Sequence, residues 1–299
     1  MKQLLCVLIV FAAGVEVLAQ ETETTTIRTQ TTVIVEEQPD LLTPLWSMTD
    51  TVPVEPCSVH LRVNFRWETA DGVSTGGDND DDFILTPAIV WGIAEDWEVW
   101  ARTPAWLGDA GNRGPFEDGN YDTYVGALWR FKDQEGSWPA MAIAGEARIP
   151  TGDGSSGVDG ELRLVLTNEY DSGLRSHINL FGISQNGDNA DTLVGDEDEG
   201  FLDFEGPRRV SAENCVWGLV VGMDGPLGEG GDLRWVADYT FRGPQYTQSD
   251  SNQHVAELGL QWKIDGDSAF GIAGTAGLHN DQETPDYGLG FTYSYALRY

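Results

Sequence analysis

Twelve basic side chains stand in short runs where polar and apolar residues alternate: Arg62, Arg66, Arg102, Arg130, Lys132, Arg148, Arg163, Arg175, Arg234, Arg242, Lys263 and Arg298. Eight acids share those polar positions, namely Glu68, Glu98, Asp122, Glu146, Glu161, Glu169, Asp238 and Glu257. A period of two places every such residue on one face of a strand. A row of this kind has two uses. Facing water, its excess of basic residues would favour anionic or polar solutes. Shut away from water, its charges must pair into a network that holds a filled interior together. The candidate lining residues are Arg62, Arg66, Arg102, Asp122, Arg130, Glu146, Arg148, Glu161, Arg163, Arg175, His177, Arg234, Asp238, Glu257 and Lys263.

Catalysis finds no such pattern. His177 and Asn179 share a face, but Ser176 points the other way, so a Ser–His dyad is out of reach there. His60, His254 and His279 have no Ser, Asp or Glu partner at an interpretable spacing, and no GxSxG, HExxH or phosphate-binding glycine loop occurs. No catalytic residue, cofactor site or metal site is assigned. The acidic runs at 78–82 and 195–200 lack the calcium-loop spacing and read as solvated, mutually repelling loops. Cys57 and Cys215 are expected towards opposite ends of the fold, unpaired. A net charge of −32 argues against nucleic acid as a partner.

The elements that carry these residues are strands. In SVHLRVNFRWE, Val59, Leu61, Val63, Phe65 and Trp67 alternate with His60, Arg62, Asn64, Arg66 and Glu68. Similar runs lie near 83–92, 96–102, 121–132, 140–150, 160–170, 174–184, 210–223, 233–242, 253–264, 269–278 and 287–299, which makes twelve candidate strands. Their connections alternate between long and short, as in outer-membrane barrels with long external loops and short periplasmic turns. None of the twelve basic residues falls on an apolar row, which is the segregation a lipid-facing wall demands. The last run ends on six alternate apolar positions, Leu289, Phe291, Tyr293, Tyr295, Leu297 and Tyr299. Nothing beyond the N-terminus approaches the length of a membrane-spanning helix.

The expected fold is therefore all-β: a transmembrane antiparallel up-and-down barrel of about 12 strands. Residues 1–19 read as a secretory signal peptide, with Lys2, the apolar stretch Leu4 to Ala13 and a cut after Ala19. Residues 20–58 are a Thr/Glu- and Pro-rich leader whose last part is expected to tuck into the barrel mouth, and 59–299 are the barrel. Both termini should be periplasmic, in the outer membrane of a Gram-negative-type bacterium. The runs near 83–92, 210–223 and 269–278 carry almost no charge, and Gly218, Gly222, Gly271 and Gly277 leave that wall smooth. Such a wall could pass an apolar solute or give packing room to the leader.

With the strands in place, the chain resembles the meta-pathway phenol-degradation family of outer-membrane proteins, regarded as transporters. The resembling elements are TPAIVWGIAEDWEVWARTP, YVGALWRF, WPAMAIAGEARIPTGDG, ELRLVLTNEY and the closing TYSYALRY, in that order from about residue 60 onward. The acidic stretch 186–205 and the Thr-rich leader lie outside it. The resemblance implies a barrel that passes small solutes and does not imply phenol. The segregated charges make outer-membrane lipid the expected surroundings, and the closing aromatic at Tyr299 looks like the signal that the barrel-assembly machinery reads. The other reading is a plugged structural or surface-interaction barrel that works through its acidic external loops.

Overall fold

The period-two rows become strands because a closed antiparallel sheet hides every backbone donor and acceptor while sorting side chains into two faces. The computed structural model describes residues 47–70, 80–109, 122–151, 157–184, 191–194, 208–211, 215–228, 230–244, 252–278 and 287–298. Its strands are β1 (Ser58–Ala70), β2 (Asp80–Ala94), β3 (Trp97–Arg102), β4 (Ala105–Asp109), β5 (Thr123–Lys132), β6 (Ala140–Ile149), β7 (Asp159–Glu169) and β8 (Arg175–Ser184). There follow β9 (Asp191–Val194), β10 (Arg208–Ser211), β11 (Cys215–Pro226), β12 (Leu233–Arg242), β13 (Gln253–Lys263), β14 (Ser268–Gly277) and β15 (Tyr287–Arg298). There is no helix among the described residues.

The sheet closes because β1 pairs with β2 on one side and with β15 on the other. β3 and β4 lie end to end along β2, split at Thr103-Pro104, where proline offers no donor to the ladder. They form one interrupted stave, so the cylinder has twelve positions. β9 and β10 form a separate ribbon between β8 and β11. Twelve strands about 4.8 Å apart, tilted by about 40°, make a backbone cylinder about 12 Å in radius.

Residues directly opposite in register share a face, so the ladders fix the outer wall. Leu61 pairs with Ile89 and Tyr295, and Leu258 with Ala237 and Gly274. Leu61, Ile89, Trp217, Leu258 and Tyr293 are all exposed large apolar side chains on this face. Between the two rims, the outward rows of the described residues carry no Asp, Glu, Lys or Arg, and Asp81, opposite Thr69 at the loop-end tip of β2, is the acid that falls on that row in register. Aromatic contacts gather towards both rims. Trp97 stacks on Trp129 (5.4 Å, 10°) at the end that carries Ser58 and Arg298, and Trp217 lies 5.0 Å from Phe241 at the other. An apolar band between two aromatic girdles is the outer surface of a transmembrane barrel.

The end of the barrel at Ser58 and Arg298 is called the terminal end here, and the opposite end the loop end. Several expected boundaries shift. β2 begins at Asp80, so the acidic run 78–82, expected as a loop, is strand from Asp80 onward, and β4 lies in the expected outer connection after Arg102. The run expected at 210–223 is divided between β10 and β11, and β11 continues to Pro226. Asp224-Gly225-Pro226 has the composition of a turn, but Asp224 keeps the inward row of Val216, Gly218, Val220 and Gly222 because it finds cationic partners there. The expected outer connection 185–209 contains β9 and the start of β10. Residues 1–46, the acidic run 196–199 and Tyr299 lie outside the described residues. The expected signal peptide, most of the leader and the terminal aromatic fall there too.

Candidate functional site in the barrel interior

The interior is lined by the polar rows and crossed by residues 47–57, the last part of the leader. Beginning at Ser58, a tight turn brings Ser58 N and Oγ onto Glu55 O, at 3.2 and 2.7 Å, while Cys57 N donates to Gly92 O. The segment first lies on the β2–β3 wall, where Val54 N donates to Glu98 Oε2 at 2.8 Å. It then crosses to β7, β8 and β11. A Cβ at Gly92 would collide with the carbonyl oxygens of Val54 and Glu55, and one at Gly222 with Met48 Sδ. Of the two uses open to the smooth wall, packing room for the leader is the one that Met48 occupies.

Asp50 is the main anchor of this segment. Its Oδ2 accepts from Arg175 Nη1 at 2.6 Å, and its Oδ1 accepts from Thr167 Oγ1 at 3.2 Å and from Thr51 N at 2.6 Å. Arg175 Nε also donates to Asp224 Oδ1 (3.0 Å), and Asp224 Oδ2 pairs with His177 Nε2 (2.7 Å). His177 Nδ1 meets Thr167 Oγ1 at 3.0 Å, which closes a ring of five side chains: Asp50, Arg175, Asp224, His177 and Thr167. Arg234 adds a second guanidinium to Asp224. All five ring members are buried, and the carboxylates of Asp50 and Asp224 find in Arg175, Thr167 and His177 the partners without which their burial would be costly.

A second anchor lies one step along the segment. Arg163 Nη1 donates to Ser47 O (2.7 Å), Thr49 N donates to Asn179 Oδ1 (2.7 Å), and Asn179 Nδ2 donates to Thr49 O (3.0 Å). Asn179 thus holds the segment's backbone as a strand neighbour would. Arg163 is itself held by Glu161 at 2.8 Å. Between these anchors, Met48 packs with Phe181, Val220, Val236 and Ala273.

The remaining candidate residues sort by height. Towards the loop end, Arg102 pairs with Glu146 at 2.5 Å, and Trp100 Nε1 donates to the same carboxylate at 2.7 Å. Arg148 bridges Asp122 (3.5 Å) and Asp159 there. At the terminal rim, Arg130 pairs with Asp96 (2.8 Å) and Asp133 (3.2 Å), away from the segment. Lys263 is half-buried near the same rim, and Lys132 lies over the ring of exposed Trp138, 5.2 Å from its centroid. Asp238 and Glu257 stand opposite each other in register, both buried. Arg66 is half-buried on β1 above Arg62, which lines an open space. That space is a cavity of about 290 Å³ between the segment and the walls, bordered by Met48, Asp50, Arg62, Glu98, Trp100, Arg102, Glu146 and Arg163.

Sequence reasoning missed Asp50, Thr167, Asp224, Trp100, Asp159 and Asp96. Trp100 shares its row with Glu98 and Arg102, so parity alone would have placed it inside. Asp224 needed the β11 row carried two residues further. Asp50 stands in a run with no periodicity and gave no signal. Cys57 and Cys215 lie at opposite ends and are not joined by a disulfide.

No protein-family model and no curated protein sequence matches the chain. Among solved structures, the COG4313 outer membrane channel from Pseudomonas putida F1 is similar, with a TM-score of 0.59 at 11% identity over 83% of this chain and 98% of that one. The NanC porin (TM-score 0.49, 10% identity, 81% and 99% covered) and the KdgM porin (0.45, 12%, 79% and 99%) also align. At these identities the first likeness speaks for the fold, an outer-membrane β-barrel.

Proposed function

We propose that this protein is an outer-membrane channel through which small solutes diffuse, with residues 47–57 as its internal constriction. The observation that carries the reading is the cavity beside that segment, bordered by Arg62, Glu98, Arg102, Glu146 and Arg163. Charged side chains that border open space favour a water-filled path, because charge is costly to keep away from water. The similarity to a Pseudomonas putida F1 outer membrane channel supports the same reading. The chain acts by passage and not by catalysis. His177 sets one ring nitrogen against Thr167 Oγ1 and the other against Asp224, and Thr167 Oγ1 also bonds Asp50, so these groups are engaged in joining β7, β8 and β11 to one another and to the segment.

In this proposal the terminal end faces the periplasm and the last strand carries the signal for the assembly machinery. The outer wall meets outer-membrane lipid, and the chain is a member of the meta-pathway phenol-degradation family that its ordered segments resemble. The acidic-loop alternative rests chiefly on the run 196–199, which lies outside the described residues. Planar-bilayer recording of the refolded protein tests the channel. Discrete conductance steps are expected, and they should be larger for a variant lacking residues 47–57. Absence of any step in both forms would reject a channel.

A further inference from the structure

The segment that crosses the interior presents two side chains to the wall, and the wall receives them in chemically distinct places. Asp50 offers a carboxylate to Arg175 and Thr167, and Met48 offers an unbranched apolar chain to Phe181, Val220 and Val236. The two residues are separated by one position, so in an extended chain their Cα atoms are about 6–7 Å apart. The cavity also borders Met48, Thr49 and Asp50, so a solute in the open part of the lumen meets this place directly.

Charge sharpens the point. Arg175 and Arg234 are both held on the single carboxylate of Asp224, and Asp50 supplies the second negative charge. Withdrawal of the segment takes away one of the carboxylates that face Arg175, so the place becomes more positive by one charge and more favourable to an arriving anion. Gly222 deepens the apolar part, because any Cβ there would collide with the Met48 sulfur.

We propose that the place filled by Met48 and Asp50 is a binding site for a small carboxylate carrying a short apolar chain, with the leader seated in it as a tethered stand-in. The inference rests on the channel reading above and names the solute class for it. An arriving carboxylate takes the Arg175 and Thr167 contacts, its chain takes the Met48 pocket, and the segment leaves the wall.

The test follows the segment, not the current. Thr51 is buried, so Thr51→Cys in a background with Cys6, Cys57 and Cys215 replaced by Ser reports release through maleimide labelling. At constant ionic strength, hexanoate should speed labelling about tenfold at saturation, with hexanamide inert and acetate weaker. In calorimetry, hexanoate should bind Asp50→Asn about tenfold or more tighter than the wild type, because the tethered competitor is weakened. Equal effects of hexanoate and hexanamide would overturn the carboxylate assignment, and equal effects of hexanoate and acetate the apolar pocket. No hexanoate effect on labelling together with no binding to Asp50→Asn would sink the site while leaving conductance, and so the channel, standing. Hexanoate binding by a barrel that never conducts would leave the site and reject the channel.

Discussion

Replacing Asp50 by Asn tests whether an ion pair holds the segment in place. The change keeps the side chain's size and, through Oδ1, its ability to accept from Thr167 and Thr51 N, while the oxygen that faces Arg175 at 2.6 Å becomes an amide NH2, which removes the charge and an acceptor together. Both side chains are about 95% buried. Removing one member of such a pair costs about 3–5 kcal/mol, mostly from the charge left behind. Arg175 retains Asp224, and the neighbouring cavity can admit water, so about 3 kcal/mol is the working figure. The cost falls on the seated segment alone, because in the released state residue 50 and its surroundings are hydrated. At about 1.4 kcal/mol per factor of ten, release becomes about a hundredfold more favourable. Single-channel recording should therefore show the variant spending far more time at the conductance level of the form lacking residues 47–57, while Asp50→Glu stays near wild type. No rung of the barrel ladders passes through Asp50, so unfolding of the barrel in detergent should barely change. If the deletion raises conductance and Asp50→Asn leaves occupancy unaltered, the ion pair is not the latch. If neither change alters conductance, the segment is not the constriction.

Three other perturbations probe separate parts of the structure. Gly92→Ala introduces a Cβ where the carbonyls of Val54 and Glu55 lie, so the segment must lift from β2, and proteolysis within 47–57 should quicken while the barrel persists. Arg62→Glu reverses a charge on the cavity wall, and the reversal potential in a salt gradient should move towards cation preference, with an unchanged potential in a conducting variant removing Arg62 from the path. Leu258→Arg puts a cation on the lipid face in the middle of β13, where it should lower folding stability in bilayers by about 2–4 kcal/mol; a neutral result would mean that this face does not meet hydrocarbon.

The outer wall was legible because lipid imposes one rule on every strand. Leu61, Ile89 and Leu258 are recognisable as outward from their own neighbours, without knowledge of the partner strand. The number twelve followed from counting the alternating runs, and the up-and-down barrel topology from the alternation of connection lengths. The interior was legible only in parity. His177 and Asn179 could be placed on the inner face, but Asp224, 47 positions beyond His177, becomes its partner through the β8–β11 register. That register depends on a connection with no periodic signal. Asp224 itself was hidden by the turn-like Gly225-Pro226, and Asp159 by the glycine-rich run before it. Asp50 was hidden most thoroughly, because its conformation is imposed by the walls it touches and not by anything local in SMTDTVP.

The chemistry of the anchors bears on whether such a segment can leave. A leader packed through a broad apolar surface would lose stabilisation in proportion to the area exposed, with no intermediate partner for what it uncovered. Here the described contacts are few and directional: the Asp50 carboxylate on Arg175 and Thr167, the Thr49 amide and carbonyl on Asn179, Ser47 O on Arg163, and Val54 N on Glu98. Water or a polar solute can replace each of these one for one. The apolar anchors are two, Val54 and the larger Met48, which is unbranched and readily repacked. Meanwhile the wall is pinned independently of the segment, by Arg102 on Glu146, Arg148 on Asp122 and Arg175 on Asp224. Departure of the segment therefore leaves a lined, hydrated bore and not a collapsed one, which is the physical condition for a constriction that can open.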